Sequence, residues 1–104
     1  HRALLPASWY VEKKVRFGLP DGEAFAIAAV TSAVTEPSGE PLLTYSMVTR
    51  DAVGEAAATH PRMPLVIPES LYDDWLNTER PGDADLVDEV RVASDEISRA
   101  MTAG

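Results

Sequence analysis

One glutamate, one histidine and one arginine stand out by the segments that hold them. Glu12 closes the run Pro6-Ala7-Ser8-Trp9-Tyr10-Val11-Glu12, while His60 and Arg62 lie in His60-Pro61-Arg62-Met63-Pro64. A carboxylate and an imidazole are the usual equipment for moving protons near neutral pH. An arginine between two prolines is presented stiffly, ready to grip a phosphate or carboxylate with both guanidinium nitrogens. Each also has an ordinary reading. Glu12 beside Lys13 and Lys14 reads as a solvated carboxylate pairing with lysine. His60 reads as a cap on a helix C-terminus, where the helix dipole favours the imidazolium. Arg62 reads as the partner of an acidic helix. The chemistry depends on whether segments 6–12 and 60–64 meet, and more than one water between Glu12 and His60 would dissolve a shared site.

Composition removes most other chemistries. Cysteine is absent and the only histidines are His1 and His60, so the chain offers no thiol nucleophile and no thiolate or His-rich metal site. Asp73-Asp74 lacks ligand spacing. No G-x-S-x-G, P-loop or G-x-G-x-x-G motif occurs, and we expect neither metal nor cofactor. No apolar run approaches the ~18 residues of a membrane span and no signal segment opens the chain, which points to a cytoplasmic protein without a membrane partner. The first residue is His1 rather than methionine, as in a processed chain or one cut from something longer. Its 104 residues, 45% of them hydrophobic, make one domain at most. Such a domain buries roughly 65% of its unfolded surface if it folds alone.

The net charge of −8 argues against nucleic acid until its position is considered. Residues 1–64 carry six Lys/Arg against seven Asp/Glu, and residues 65–104 carry three against ten. The acidity therefore belongs to the C-terminal part, and both signatures to the near-neutral part.

The elements that must position these residues follow from pattern. Ala3-Leu4-Leu5 is a short strand ended by Pro6. Trp9 to Phe17 alternates loosely as one half-buried strand, with Trp9, Val11, Val15 and Phe17 on one side. Leu19-Pro20-Asp21-Gly22 is a turn. Glu23 to Val34 is apolar on both faces and reads as a central strand, and Leu42 to Thr49 as another. Asp51 to Thr59 reads as an alanine-rich helix capped by Thr49 or Asp51. Met63 to Ile67 is a strand, Pro68 to Leu76 a helix, and Asp85 to Met101 an acidic, weakly helical peripheral tail. The aromatics Trp9, Tyr10, Tyr45 and Trp75 could stack bases, but single aromatics in such elements more often belong to a core. The pattern is α+β and strand-rich, with helices concentrated after residue 50.

In order along the chain, Arg2-x-Leu4-Leu5-Pro6-Ala7, Tyr10-x-Glu12, Leu43-Thr44 to Thr49, His60-x-Arg62-Met63-Pro64 and Tyr72-Asp73-Asp74-Trp75-Leu76 resemble the SRAP family. These are SOS response-associated peptidases, or abasic-site processing proteins. The resemblance covers about residues 1–80, and His-x-Arg-Met-Pro is its most specific motif. It implies a strand-rich, barrel-like α+β core with peripheral helices after residue 50. It also implies that residues 1–104 are the C-terminal part of a single SRAP-like domain, whose opening part carries a cysteine exposed after methionine removal. Members of the family bind single-stranded DNA and cross-link to abasic sites, the terminal amine forming a Schiff base and the thiol closing a thiazolidine. By that resemblance Glu12 and His60 are the active-site acid/base pair, Arg62 contacts backbone phosphate and Thr49 lines the DNA site. The protein is then a monomer whose partner is single-stranded DNA with abasic sites.

The chain departs from the family pattern at Ser8, Trp9, Lys13 and Pro61. Those departures support a second reading, a diverged DNA- or protein-binding module with the same fold and no chemistry. A third is an acidic α+β interaction domain whose motif matches are coincidental. Without the nucleophile, residues 1–104 alone are expected to form no covalent adduct. Strands lacking their sheet partners would also leave exposed edges and marginal stability.

Overall fold

A computed structural model describes residues 1–104. Its organising element is a long strand that changes environment halfway. Strand β1 (Arg2–Ala7) lies antiparallel to the first half of β4 (Phe25–Thr35), with Leu5 opposite Ile27 and Ala7 opposite Phe25. On its other edge, β8 (Val66–Ile67) pairs with Ala26 and Ile27. The second half of β4 pairs with β5 (Pro41–Met47) to form a projecting hairpin closed by the loop at 36–40.

The apolar run on both faces of β4 has a direct consequence. Phe25 and Ile27 face a cluster with Phe17, Ala56, Met63, Val66 and Met101. Ala26 and Ala28 face another with Leu65, Ile67, Trp75, Leu86 and Val90. A strand buried on both faces reads as continuous hydrophobic sequence rather than alternation.

Trp9 to Phe17 is not one strand. It folds back as a hairpin, β2 (Tyr10–Glu12) against β3 (Val15–Gly18). Lys13 (φ 49°) and Lys14 (φ 66°) turn the chain in the left-handed region, the geometry of tight hairpin turns, where Asn-Gly is the usual signal. Two lysines give no such signal. The fold-back inverts the facing: Tyr10 opposes Phe17 and Glu12 opposes Val15 on the core side, while Val11 opposes Arg16 outside. The tyrosine and phenylalanine rings stack with centroids 5.3 Å apart.

The predicted helix at 51–59 is also reassigned. Thr49–Asp51 is strand β6, paired with β7 (Arg62–Pro64), and only Gly54–Ala58 winds, as a 3-10 turn without a side-chain cap. Thr49 and Asp51 face Arg62 instead of capping. Val48 and Leu65 carry the hydrogen-bond ladder from the large sheet into this pair, since the Leu65 amide donates to the Val48 carbonyl and the Val48 amide to Ala28. The sheets curl there without closing into a barrel. A third small sheet adds β9 (Thr102–Ala103) to β3.

Two helices cover the second cluster. Helix α1 (Tyr72–Leu76) follows a 3-10 turn at Glu69–Leu71 and buries Trp75, whose indole donates to the Ala3 carbonyl at 2.8 Å. Helix α2 (Ala84–Arg99) is capped by Asp83, which accepts from the Leu86 amide. It is more deeply engaged than an acidic tail suggests. Leu86, Val90, Ser94 and Ser98 line one buried stripe at i, i+4 spacing, and the two serine hydroxyls satisfy each other at 2.8 Å. No helix is long and apolar enough to cross a membrane.

Candidate functional site

Glu12 and His60 meet. Glu12 ends β2 on the core-facing side of its hairpin, and His60 follows the 3-10 turn, its amide donating to Ala56. The Glu12 Oε1 to His60 Nε2 separation is 3.8 Å, with both side chains partly exposed. That is within ion-pairing reach and longer than a direct hydrogen bond. A reacting group or a single water can therefore be engaged by both.

The imidazole is oriented by its own loop. His60 Nδ1 lies 3.1 Å from both the amide nitrogen and the carbonyl oxygen of Arg62. With Nδ1 unprotonated the neutral ring accepts from the Arg62 amide and carries its proton on Nε2, facing Glu12; with Nδ1 protonated it donates to the Arg62 carbonyl. In the imidazolium, Nδ1–H donates to the Arg62 carbonyl as well. One backbone residue thus supports either protonation state, as a group that gives and takes protons requires.

The other two candidates touch each other. Arg62 and Asp51 are directly opposed across β6 and β7, and Arg62 Nη1 bonds Asp51 Oδ1 at 2.7 Å. The second nitrogen, Nη2, donates to Thr49 Oγ1 at 3.0 Å. Asp51 is 90% exposed and Arg62 half exposed, so any anion would have to compete with Asp51 for the guanidinium. The prolines on either side thus hold Arg62 in a strand rather than a free loop.

Two neighbours escaped the sequence reading. Asp51 read as a helix cap, and only the β6–β7 register reveals it as the Arg62 counter-ion. Tyr10, two residues before Glu12, has a buried hydroxyl with no hydrogen-bond partner. Burial, reinforced by the nearby Glu12 carboxylate, pushes that hydroxyl up to about 12, so it is neutral at ordinary pH. The alternation of Tyr10 with Glu12 was the available signal.

The site is open. The surface concavities are lined by none of Glu12, His60, Arg62 or Thr49. The expectation that isolated aromatics lie in the core holds for Trp75, 1% exposed, and fails for Trp9 and Tyr45, at 51% and 65%. Tyr45 stands on the exposed strand β5, and Trp9 immediately precedes β2.

Two solved structures share this architecture. A Bacteroides thetaiotaomicron protein superposes with a TM-score of 0.68 at 18% identity, covering 98% of this chain and 47% of its own length. A Bordetella bronchiseptica protein superposes with a TM-score of 0.65 at 23% identity, covering 99% of this chain and 53% of its own. The chain therefore spans about half the length of either. A search of curated proteins found no match. A family model, described as SOS response associated peptidase (SRAP), matches residues 2–102. With a match that runs almost from end to end, the chain belongs to the SRAP family, a family of the DNA-damage response.

Proposed function

We propose that this chain is the acid–base part of a SRAP domain that captures abasic sites in single-stranded DNA, with the nucleophile supplied by an N-terminal cysteine outside these 104 residues. The observation that carries the reading is the facing of Glu12 and His60 at 3.8 Å, with the ring oriented by the Arg62 backbone.

The chemistry needs both groups. An abasic sugar is a cyclic hemiacetal, and opening it requires a proton delivered to the ring oxygen and another removed from the anomeric hydroxyl. In the proposal, His60 Nε2–H delivers and the Glu12 carboxylate removes. The freed aldehyde then condenses with a neutral α-amine, whose pKa near ~8 leaves part of it reactive at neutral pH, and one water leaves. Addition of a neighbouring thiol across the imine closes a thiazolidine without a leaving group. Arg62 and Thr49 hold the backbone phosphate beside the sugar, with Asp51 keeping the guanidinium in place until DNA arrives. A single-stranded substrate suits an open surface, because an extrahelical sugar costs no unpairing.

The test is a denaturing gel of the protein as its gene encodes it, incubated with an oligonucleotide that carries one abasic site. A retained protein–DNA band that Glu12→Gln or His60→Ala slows by roughly 10²–10⁴-fold supports the proposal. The absence of a band from folded protein with an intact cysteine refutes the chemistry. The second reading, a binding module without chemistry, is favoured by the open surface around the pair, and predicts binding without a retained band.

A further inference from the structure

The outward face of the β2–β3 hairpin is chemically unlike the rest of the molecule. The chain carries a net charge of −8, yet residues 8–18 hold Lys13, Lys14 and Arg16 against Glu12 alone. Lys13 and Lys14 are the only lysines in the protein. Most of the other cations are engaged: Arg50 with Asp95, Arg62 with Asp51, Arg80 with Asp74 and Glu89, and Arg91 with Asp88. Arg2 donates to the carbonyls of Trp75, Asn77 and Arg80. No carboxylate pairs with Lys13, Lys14 or Arg16.

Beside these cations lies an exposed indole. The Arg16 guanidinium sits 5.0 Å over the Trp9 ring, which leaves the rest of a half-exposed aromatic surface to solvent. Trp9 and Arg16 form one wall of a groove of about 220 Å³, with Ser8, Gly18, Leu19 and Thr102 around it. Gly18 keeps that groove open: a Cβ there would stand 3.0 Å from the Ser8 carbonyl and 3.8 Å from the Trp9 Cβ. Val11, 52% exposed, extends the apolar surface towards the lysines at the turn. Aromatic rings that accept bases, placed among cations that follow the backbone, are what single-stranded nucleic acid requires of a sequence-tolerant binding surface.

We propose that the outward face of this hairpin is a single-strand platform, Trp9 and Arg16 stacking a base and Lys13, Lys14 and Arg16 meeting phosphates. It lies on the opposite face of the same hairpin from Glu12. A strand wrapped over the turn would reach both faces, so the platform would position DNA and the Glu12–His60 pair would act on it. The inference rests on the nucleic-acid reading above, and concerns binding alone.

The experiment titrates the protein as its gene encodes it with intact oligo(dT), without an abasic site, following tryptophan emission. Trp75 is buried, so within these residues quenching reports Trp9. Trp9→Ala should weaken binding at least fivefold and Trp9→Phe should restore most of it, since stacking needs a ring rather than an indole. The triple change Lys13→Gln, Lys14→Gln, Arg16→Gln should lower the slope of log K against log salt by about 0.7 for each phosphate no longer neutralised. Val92→Ser, at an exposed position of α2, should leave this binding unchanged. Wild-type affinity in folded Trp9→Ala and triple variants, or an emission that does not move, overturns the platform while leaving the abasic-site chemistry standing. Binding through the platform with no retained band overturns the chemistry and leaves the platform. No binding of intact oligo(dT) together with no retained band on abasic DNA overturns both.

Discussion

The two halves of β4 share one strand and one kind of sequence but not one environment. Phe25 to Ala29 are all buried, held between β1 and β8 with a core cluster on either face. Val30 is 41% exposed and Val34 45%, and opposite them β5 is exposed at every residue, Leu43 at 71% and Tyr45 at 65%. Hydrophobic sequence alone does not bury a strand; a partner on each face does. The second half keeps the composition of an interior strand while one sheet edge and both faces lack a cover. That is the exposed, apolar edge that globular domains ordinarily avoid.

The sharpest test of this contrast is the buried side. Trp75 is 1% exposed, packs with Ala26 and Ala28, and donates to the Ala3 carbonyl. Trp75→Ala should lower unfolding free energy by about 3–5 kcal/mol, and Ile27→Ala by about 2–5 kcal/mol, in a denaturant titration. Losses below ~1 kcal/mol would mean the first half is no better held than the second.

A smaller effect of opposite sign is expected at Tyr10. Its hydroxyl is buried without a partner, so Tyr10→Phe should raise stability by about 1 kcal/mol at neutral pH. The sign with pH follows. A phenol whose proton is held more tightly in the folded than the unfolded chain stabilises below its ordinary value of 10.0, and that benefit is lost as pH rises towards about 12. Phenolate absorbance should place one tyrosine near the upper end of that window.

Acid should probe the seam between β6 and α2. Arg50 is 5% exposed and donates to Asp95, and that hydrogen bond holds the carboxyl below its ordinary 3.8. A carboxyl lowered by folding binds protons less tightly in the folded state. Its stabilisation is therefore complete above the unfolded value and disappears as pH falls through the folded one. Thermal melts should show the wild type losing its advantage over Asp95→Asn as pH falls below the ordinary carboxyl value of 3.8. A constant gap would mean the pair does not couple to folding.

The least effect belongs to the projecting hairpin. Leu43→Ser and Tyr45→Ser should change the unfolding free energy of this chain by no more than about 0.5 kcal/mol, as for other surface positions. Both should reduce binding of a hydrophobic dye. Costs approaching those of Ile27→Ala would erase the distinction between the halves.

Several features were legible from sequence because they depend on local patterns. The turn at Leu19 to Gly22 and the loop at 36–40 carry their own proline and glycine signals. The central strand is marked by apolar residues on both faces, and His60-x-Arg62-Met63-Pro64 carries the resemblance to the family that matches. The β2–β3 fold-back was not legible, since two lysines occupy turn positions that ordinarily take Asn-Gly, and the alternation simply appeared to run on through them. Nor was β6, because Thr49 and Asp51 are good caps in sequence and become strand residues only when Arg62 lies across from them.

The sequence by itself determined which side chains can do chemistry: one internal imidazole, a carboxylate in a distinctive run and an arginine between prolines, with no thiol among them. Only the tertiary structure decided their meeting. Glu12 and His60 are separated by most of the sheet in sequence and brought to 3.8 Å by a hairpin and a 3-10 turn, whose placement depends on packing against β4. The same packing decided that Trp9 lies outside and Trp75 inside. Residue type sets the chemistry a side chain can perform. Its facing depends on strand register, a property of the partner strand as much as of its own.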